Sequence, residues 1–364
     1  MQYHECFAAA YKTARGKFLA AARAAQGDIR SFTHPEETAP DGGPLAIDVA
    51  CFGDRRAPRQ ALIVSGTHGQ EGFSGSAVQV GWLKSGGAAK LADGVGVVLV
   101  HGLNPYGFAH FTRTTENNVD LNRNFIDRSN GAPDNRHYET LHGDLVLAQW
   151  TEAENARVDA ALERFTAAHG PDVLFDTLAR GQYRHPDGLI FGGTAREWSN
   201  HTLETVVAET LAGAERVAFI DWHTGIGDYG KPFFLSFNEP SGPLFARACQ
   251  WWGRENIDGV RPHGMEHPKY TGLVFHGVQR FLGDRPMCGA VVEFGTRGLG
   301  MRRVLRLDQW LRRQSDLDPD LRAMLQADMM DAFCPYDGSW RQATLNDGIT
   351  ITDQMLTGLA AWRD

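Results

Sequence analysis

The chain has 364 residues, 42% hydrophobic and 22% charged, and its 36 basic and 44 acidic side chains give a formal charge of −8. That length suits one large α/β domain or two ordinary ones, with a sizeable core either way. The acidic balance and the lack of a basic stripe argue against a nucleic-acid or anionic-membrane surface as the main partner.

The five cysteines (Cys6, Cys51, Cys249, Cys288 and Cys334) are scattered without a CxxC pair, as packed, reduced thiols of a cytosolic protein would be. The first 26 residues mix Glu5, Lys12, Arg15 and Lys17 with apolar positions, so they form no secretory h-region. They read instead as an amphipathic helix with Phe7, Ala10, Tyr11 and Phe18 facing inward. No stretch reaches the roughly 18 apolar residues of a membrane span, and a cytoplasmic location is expected.

Residues 33–44 hold Pro and Gly and read as a loop. LAIDVACFG (45–53) alternates apolar and polar at its start, the pattern of a half-exposed strand. ALIV (61–64) is the strand around which the chain is organised, apolar throughout and so buried on both faces. It breaks at Ser65-Gly66 into a glycine-rich loop that presents His68 and Glu71. Where such a loop enters a helix, residues three apart share a face. On its own, an HxxE spacing is usually an ordinary surface pair.

FSGSAVQVGWLKSG then reads as a helix stopping near Gly86-Gly87, and VGVVLVHGLNP (95–105) as a second buried strand. Strand, helix, strand at this spacing is a βαβ unit with parallel strands, and open α/β sheets place their sites at the carboxyl ends of such strands. Residues 138–169 read as helical up to Gly170-Pro171, RGQYRHPDGLIFGG as loop and short strand, and AREWSNHTLETVVAETLAG as another helix. RVAFIDWHTG (216–225) and CGAVVEFGT (288–296) repeat the apolar-strand pattern, delivering His223 and Glu293 at strand ends. HGMEH (263–267) lacks the HExxH order, and its Gly and flanking prolines read as loop. No GxxxxGK[ST] or GxGxxG follows any strand. The expected organisation is a single domain over 1–364 with helical extensions at 1–30 and 302–364.

Four strand ends therefore offer His68 with Glu71, the DLNRNF run (120–125), His223 and Glu293. Two His and one Glu make the three-ligand set of a hydrolytic zinc site, and a further carboxylate can move the proton of the attacking water. In THGQEG, HFTRTTEN with Arg113, VDLNRNF, DWHTG and VVEFGT, taken in order, the sequence resembles the zinc carboxypeptidase superfamily, which includes the aspartoacylase and succinylglutamate desuccinylase group. The overall look is closest to an uncharacterised bacterial branch of it. The resemblance implies an α/β fold with a mixed, largely parallel sheet flanked by helices, of the phosphorylase/hydrolase-like kind.

It also implies that His68, Glu71 and His223 bind Zn2+ and that Glu293 is the general base and acid. Arg113 would polarise the scissile carbonyl, Asn122 and Arg123 would hold a substrate carboxylate, and Asp120 would orient His68. Tyr270 is the candidate for a substrate-capping tyrosine and Tyr229 the other, neither in a matching motif. The long interval between Arg123 and His223 is expected to wall the active site. The implied activity is cleavage of an amide next to a free carboxylate in a small peptide. The alternatives are deacylation of an N-acyl amino acid and a zinc- or ligand-binding role without turnover.

Overall fold

In the computed structural model, which describes residues 1–363, seven strands form one sheet. They are β1 (Asp28–Thr38), β2 (Pro44–Gly53), β3 (Arg59–Ser65), β4 (Val95–His101), β5 (Arg216–Tyr229), β6 (Pro232–Leu235) and β7 (Met287–Gly295), in the spatial order β1-β2-β4-β3-β5-β7-β6. The four central strands β4, β3, β5 and β7 are mutually parallel, and β1, β2 and β6 add antiparallel edges.

Strand β3 is buried along its whole length, as its unbroken apolar run requires. Ala61 and Ile63 point into one core and Leu62 and Val64 into the other, the period-two alternation of a strand covered on both sides. The first core is closed by the helices Tyr11–Ala24, Gly72–Lys84, Pro243–Trp252 and Gly338–Ala361, with Phe18, Trp82, Trp252 and Trp340 among its side chains. The second is closed by Trp198–Thr210 and Val274–Leu282, through Leu203, Val207, Phe275 and Val278. A third cluster joins helices from residues 136–179 to Met301–Arg312 and Pro319–Phe333.

Three local expectations change. Residues 33–44 are not all loop, because β1 runs to Thr38 as a largely exposed edge strand. Its polar composition hides it, and Pro35 falls where the β1–β2 register shifts, a position an edge strand tolerates. Strand β2 is buried throughout its interior rather than half-exposed. Its apparent outward residue, Asp48, is fully buried and takes two bonds from the Arg15 guanidinium, at 2.7 and 3.0 Å. The helical pattern of 138–169 is two helices, Arg136–Leu145 and Glu152–His169, the second capped by the Thr151 hydroxyl. Pro171 ends no more than that second helix, since it also opens a further one, Pro171–Ala179, where its missing N–H is not needed.

Candidate metal centre

Sheet register brings the centre together. Ser65 at the end of β3 lies opposite Trp222 of β5, so the loop after β3 and the next residue of β5, His223, emerge side by side. His223 in turn pairs in register with Glu293 of β7, so their side chains share a face of two adjacent parallel strands.

The loop after β3 is tightly built. Gly66 has φ +74°, a left-handed conformation that favours glycine, and a Cβ on Gly69 would lie 2.0 Å from the carbonyl carbon of Gly107. This packing turns the chain so that His68 and Glu71 face one another just ahead of the helix Gly72–Lys84, with His68 Nδ1 2.9 Å from Glu71 Oε1. His223 Nδ1 lies 3.0 Å from Glu71 Oε2 and 3.1 Å from His68 Nδ1. All three side chains are buried.

The far nitrogen of each ring faces a carboxylate. His68 Nε2 is 3.1 Å from Asp120 Oδ1 and His223 Nε2 is 2.8 Å from Asp221 Oδ2, and both carboxylates are fully buried. Each ring therefore has an oxygen behind its Nε2 that can take an N–H there, the tautomer that leaves the Nδ1 lone pair directed at its neighbour. Two lone pairs 3.1 Å apart beside a carboxylate repel unless a positive charge sits among them. Burial alone would lower the His223 pKa, yet Asp221 and Glu71 hold it well above its ordinary value. The donor set thus stabilises a cation. Its edges of 2.9–3.1 Å approach the edge of about 3.3 Å that nitrogen ligands at 2.0–2.1 Å make around tetrahedral zinc. His68, Glu71 and His223 therefore fit a divalent metal ion.

Around the triad, Arg113 donates from Nε to Asp120 Oδ2 (3.0 Å) and from an Nη to Glu71 Oε1 (2.8 Å). Its backbone is fixed by Asp308, which accepts from Arg113 N and from the Thr112 hydroxyl, each at 2.7 Å. Glu293 lines the same pocket, buried, and accepts from Ile226 N at 3.3 Å. Burial and then the Glu71 charge raise its carboxyl to about 7.

Asn122, Arg123 and Tyr270 also line this pocket. Asn122 Oδ1 accepts from Val274 N. Arg123 spends three of a guanidinium's five N–H donors on the backbone carbonyls of Asn122 and Ala179, at 2.6–2.9 Å, and stands 5.2 Å from the Tyr270 ring centroid. Tyr229 is exposed, donates to Asp337 and does not line the pocket. Phe175, Leu178, Ala179 and Ile190, from the long interval before His223, form part of the wall, and much of the remaining lining is apolar.

Two contributors carried no assignment from the sequence. Asp221 sits two residues before His223, a spacing that puts both on one face of a strand, so the signal was present in DWH. Asp308 reaches Arg113 from 195 residues away and leaves no local signal. A second trio, His142, His185 and Asp187, could also gather around an ion. There the His142 and His185 rings stack at 3.8 Å, and His142 Nδ1 is buried without a partner, so it lacks the oriented outer bond that both triad histidines have.

Comparison with solved structures places this architecture. Bovine thrombin-activatable fibrinolysis inhibitor, solved with tick carboxypeptidase inhibitor, matches at TM-score 0.52 and 12% identity over 99% of both chains. Another structure of thrombin-activatable fibrinolysis inhibitor matches at 0.50 and 12% identity, over 99% of this chain and 76% of that one. A metallo-carboxypeptidase from Burkholderia cenocepacia matches at 0.44 and 15% identity, over 96% of this chain and 69% of that one. At such identities the likeness is one of fold: a carboxypeptidase-like α/β architecture with a central mixed sheet between helices. No helix among the described residues is long and apolar enough to cross a membrane. Comparison with curated proteins gives no match. A family model described as a protein of unknown function, DUF2817, matches residues 7–347, and the chain belongs to that family.

Proposed function

We propose that the protein is a zinc-dependent hydrolase that cleaves an amide bond next to a free carboxylate. The observation that carries this reading is the convergence of two imidazole Nδ1 atoms and Glu71 on one point, with a carboxylate behind each ring and Glu293 beside them. A divalent ion held there would supply Lewis acidity, acidifying water and polarising a carbonyl.

The chain's own groups do the rest. Asp120 and Asp221 keep the His68 and His223 protons on Nε2, so both Nδ1 atoms stay available as donors of electron pairs. Glu293 takes the proton of the attacking water on a carboxylate oxygen and passes it to the departing nitrogen. Arg113, anchored through two N–H groups, turns its remaining donors toward the oxyanion. Asn122 and Arg123 offer their uncommitted N–H groups to the substrate carboxylate and fix its register, and Tyr270 covers that end of the pocket. The apolar walls exclude water from the reacting centre.

Elemental analysis is expected to find about one zinc per chain in the wild type and none at this site in His68→Ala and His223→Ala. Glu293→Gln should keep its zinc and lose turnover by about a hundredfold or more, on the substrate found by screening peptides with free C-termini against N-acyl amino acids. The same screen separates the peptidase from the N-acyl amino acid deacylase. Full zinc in both histidine variants would remove the site, and loss of zinc with Glu293→Gln would make that residue a ligand rather than the base.

A further inference from the structure

Two groups on the wall of the metal-centre pocket have no part in the proposed reaction. Arg302 lies in the first turn of the helix Met301–Arg312, and His263 lies in the turn Pro262–Gly264. Both are half-buried. Among the described residues neither has a hydrogen-bond or ion-pair partner, and the ring contact of His263 is edge-to-face with Phe175 at 5.8 Å.

Their electrostatic surroundings are one-sided. Burial and then Arg306 lower the Arg302 pKa, and burial and then Arg302 lower that of His263. Arg302 has thus given up part of its hydration near another arginine and an imidazole without forming an ion pair of its own; the Asp159 and Glu163 carboxylates line the separate cleft on its other side, where Asp159 is bonded to Arg306. A guanidinium in that position is stabilised by whatever anion reaches it. The acidic side chains lining the pocket, Glu71 and Glu293, belong to the metal centre, and Glu71 is already bonded to Arg113. The pocket that these groups share with the metal centre is lined largely by apolar side chains, among them Phe175, Leu178, Met301 and Leu305.

We propose that Arg302 and His263 form a subsite for a carboxylate carried on the substrate away from the scissile amide and joined to it by an apolar stretch. One guanidinium beside an imidazole of weakened basicity balances a single negative charge, which favours a carboxylate over a phosphate dianion. The inference deepens the hydrolase reading and rests on it, because it names the amides that the pocket accepts: those whose apolar portion ends in an acid.

The probes are N-(4-carboxybenzoyl)phenylalanine and N-benzoylphenylalanine, which differ by one carboxylate across a rigid apolar ring. Calorimetric titration into zinc-loaded protein is expected to show the carboxylated probe binding at least about tenfold more tightly than its parent. Arg302→Gln should bring that ratio to within about twofold, Arg302→Lys should keep part of it, and His263→Ala should fall between. Zinc content and melting temperature of each variant separate loss of the subsite from loss of fold. Equal affinities in the wild type, no binding of either probe, or an unchanged ratio in Arg302→Gln overturns the subsite. A protein that holds zinc and hydrolyses amides but shows no such ratio sinks the subsite alone, whereas a ratio that persists in a protein without zinc or turnover sinks the hydrolase reading alone.

Discussion

Replacing Asp221 tests the metal centre without touching a ligand. Asp221 Oδ2 takes the Nε2–H of His223 at 2.8 Å, and its other oxygen takes the Thr67 hydroxyl, also at 2.8 Å. The carboxylate is fully buried, so its charge is poorly screened and its effect on the imidazole is large. Removing such an outer carboxylate typically costs 10- to 100-fold in metal affinity, about 1.4–2.7 kcal/mol. Asp221→Asn keeps the shape and one acceptor oxygen but loses the charge, so its zinc affinity is expected to fall about tenfold. Asp221→Ala loses the acceptor as well and frees the ring to take the wrong tautomer, so about a hundredfold is expected. Thr67→Val touches only the outer oxygen and should cost less than either. Competition against a chromophoric chelator at constant pH gives the three constants, with circular dichroism as the control for folding. Wild-type affinity in both Asp221 variants would mean that His223 is not held as a ligand and would refute the assignment.

Two further perturbations have worked outcomes. His101 is fully buried, stacked on Phe18 at 4.4 Å and bonded to the Ser76 hydroxyl, and burial depresses its pKa from 6.5 to about 4 against the opposing charge of Asp48, with Arg15 adding to the depression. The unfolded chain therefore binds more protons between those values, so stability is present above pH 6.5 and is lost as pH falls toward 4, by about 2 kcal/mol at pH 5; urea unfolding at pH 7.5 and 5.0 should show that difference reduced by this amount in His101→Asn, and an unchanged difference would refute it. Asp308→Asn should leave zinc content unaltered while lowering kcat about tenfold at constant KM, because Arg113 loses a charged backbone anchor; a fall in melting temperature with kcat unchanged would make Asp308 purely structural.

How far the sequence was legible follows from how local each signal is. The central strands could be read because each is buried on both faces and so is apolar without interruption, as in ALIV and VGVVLV. The ends of those runs were legible too, since a glycine turn following a buried strand leaves few places for His68, His223 and Glu293 to go. β1 was illegible for the opposite reason. An exposed edge strand needs no apolar face, and DIRSFTHPEET shows the polarity and proline of a loop. Asp48 misled because a charged residue in an alternating run signals solvent unless its partner is known, and Arg15 lies on a separate helix. Arg123 shows a different limit. Its sequence neighbourhood marks it as a functional candidate, but only the folded chain reveals that Ala179, 56 residues away, takes two of its donors.

The four carboxylates of the centre differ in what they are bonded to, and that difference supports the roles proposed for them. Glu71 accepts from Arg113 and faces both imidazoles, Asp120 accepts from Arg113 and faces His68, and Asp221 faces His223 and accepts from Thr67. Against burial, His68 and His223 hold Glu71 well below the ordinary carboxylate range and Arg113 does the same for Asp120, while both Asp221 oxygens are taken up by the His223 ring and the Thr67 hydroxyl. Glu293 is different, because among the described residues its bond is to the Ile226 backbone N–H, at a long 3.3 Å. Three acids paired tightly and a fourth, Glu293, loosely held beside them is the arrangement that the proposed hydrolase reading needs, because a proton-transferring carboxylate has to differ in its surroundings from the anions that only hold and orient.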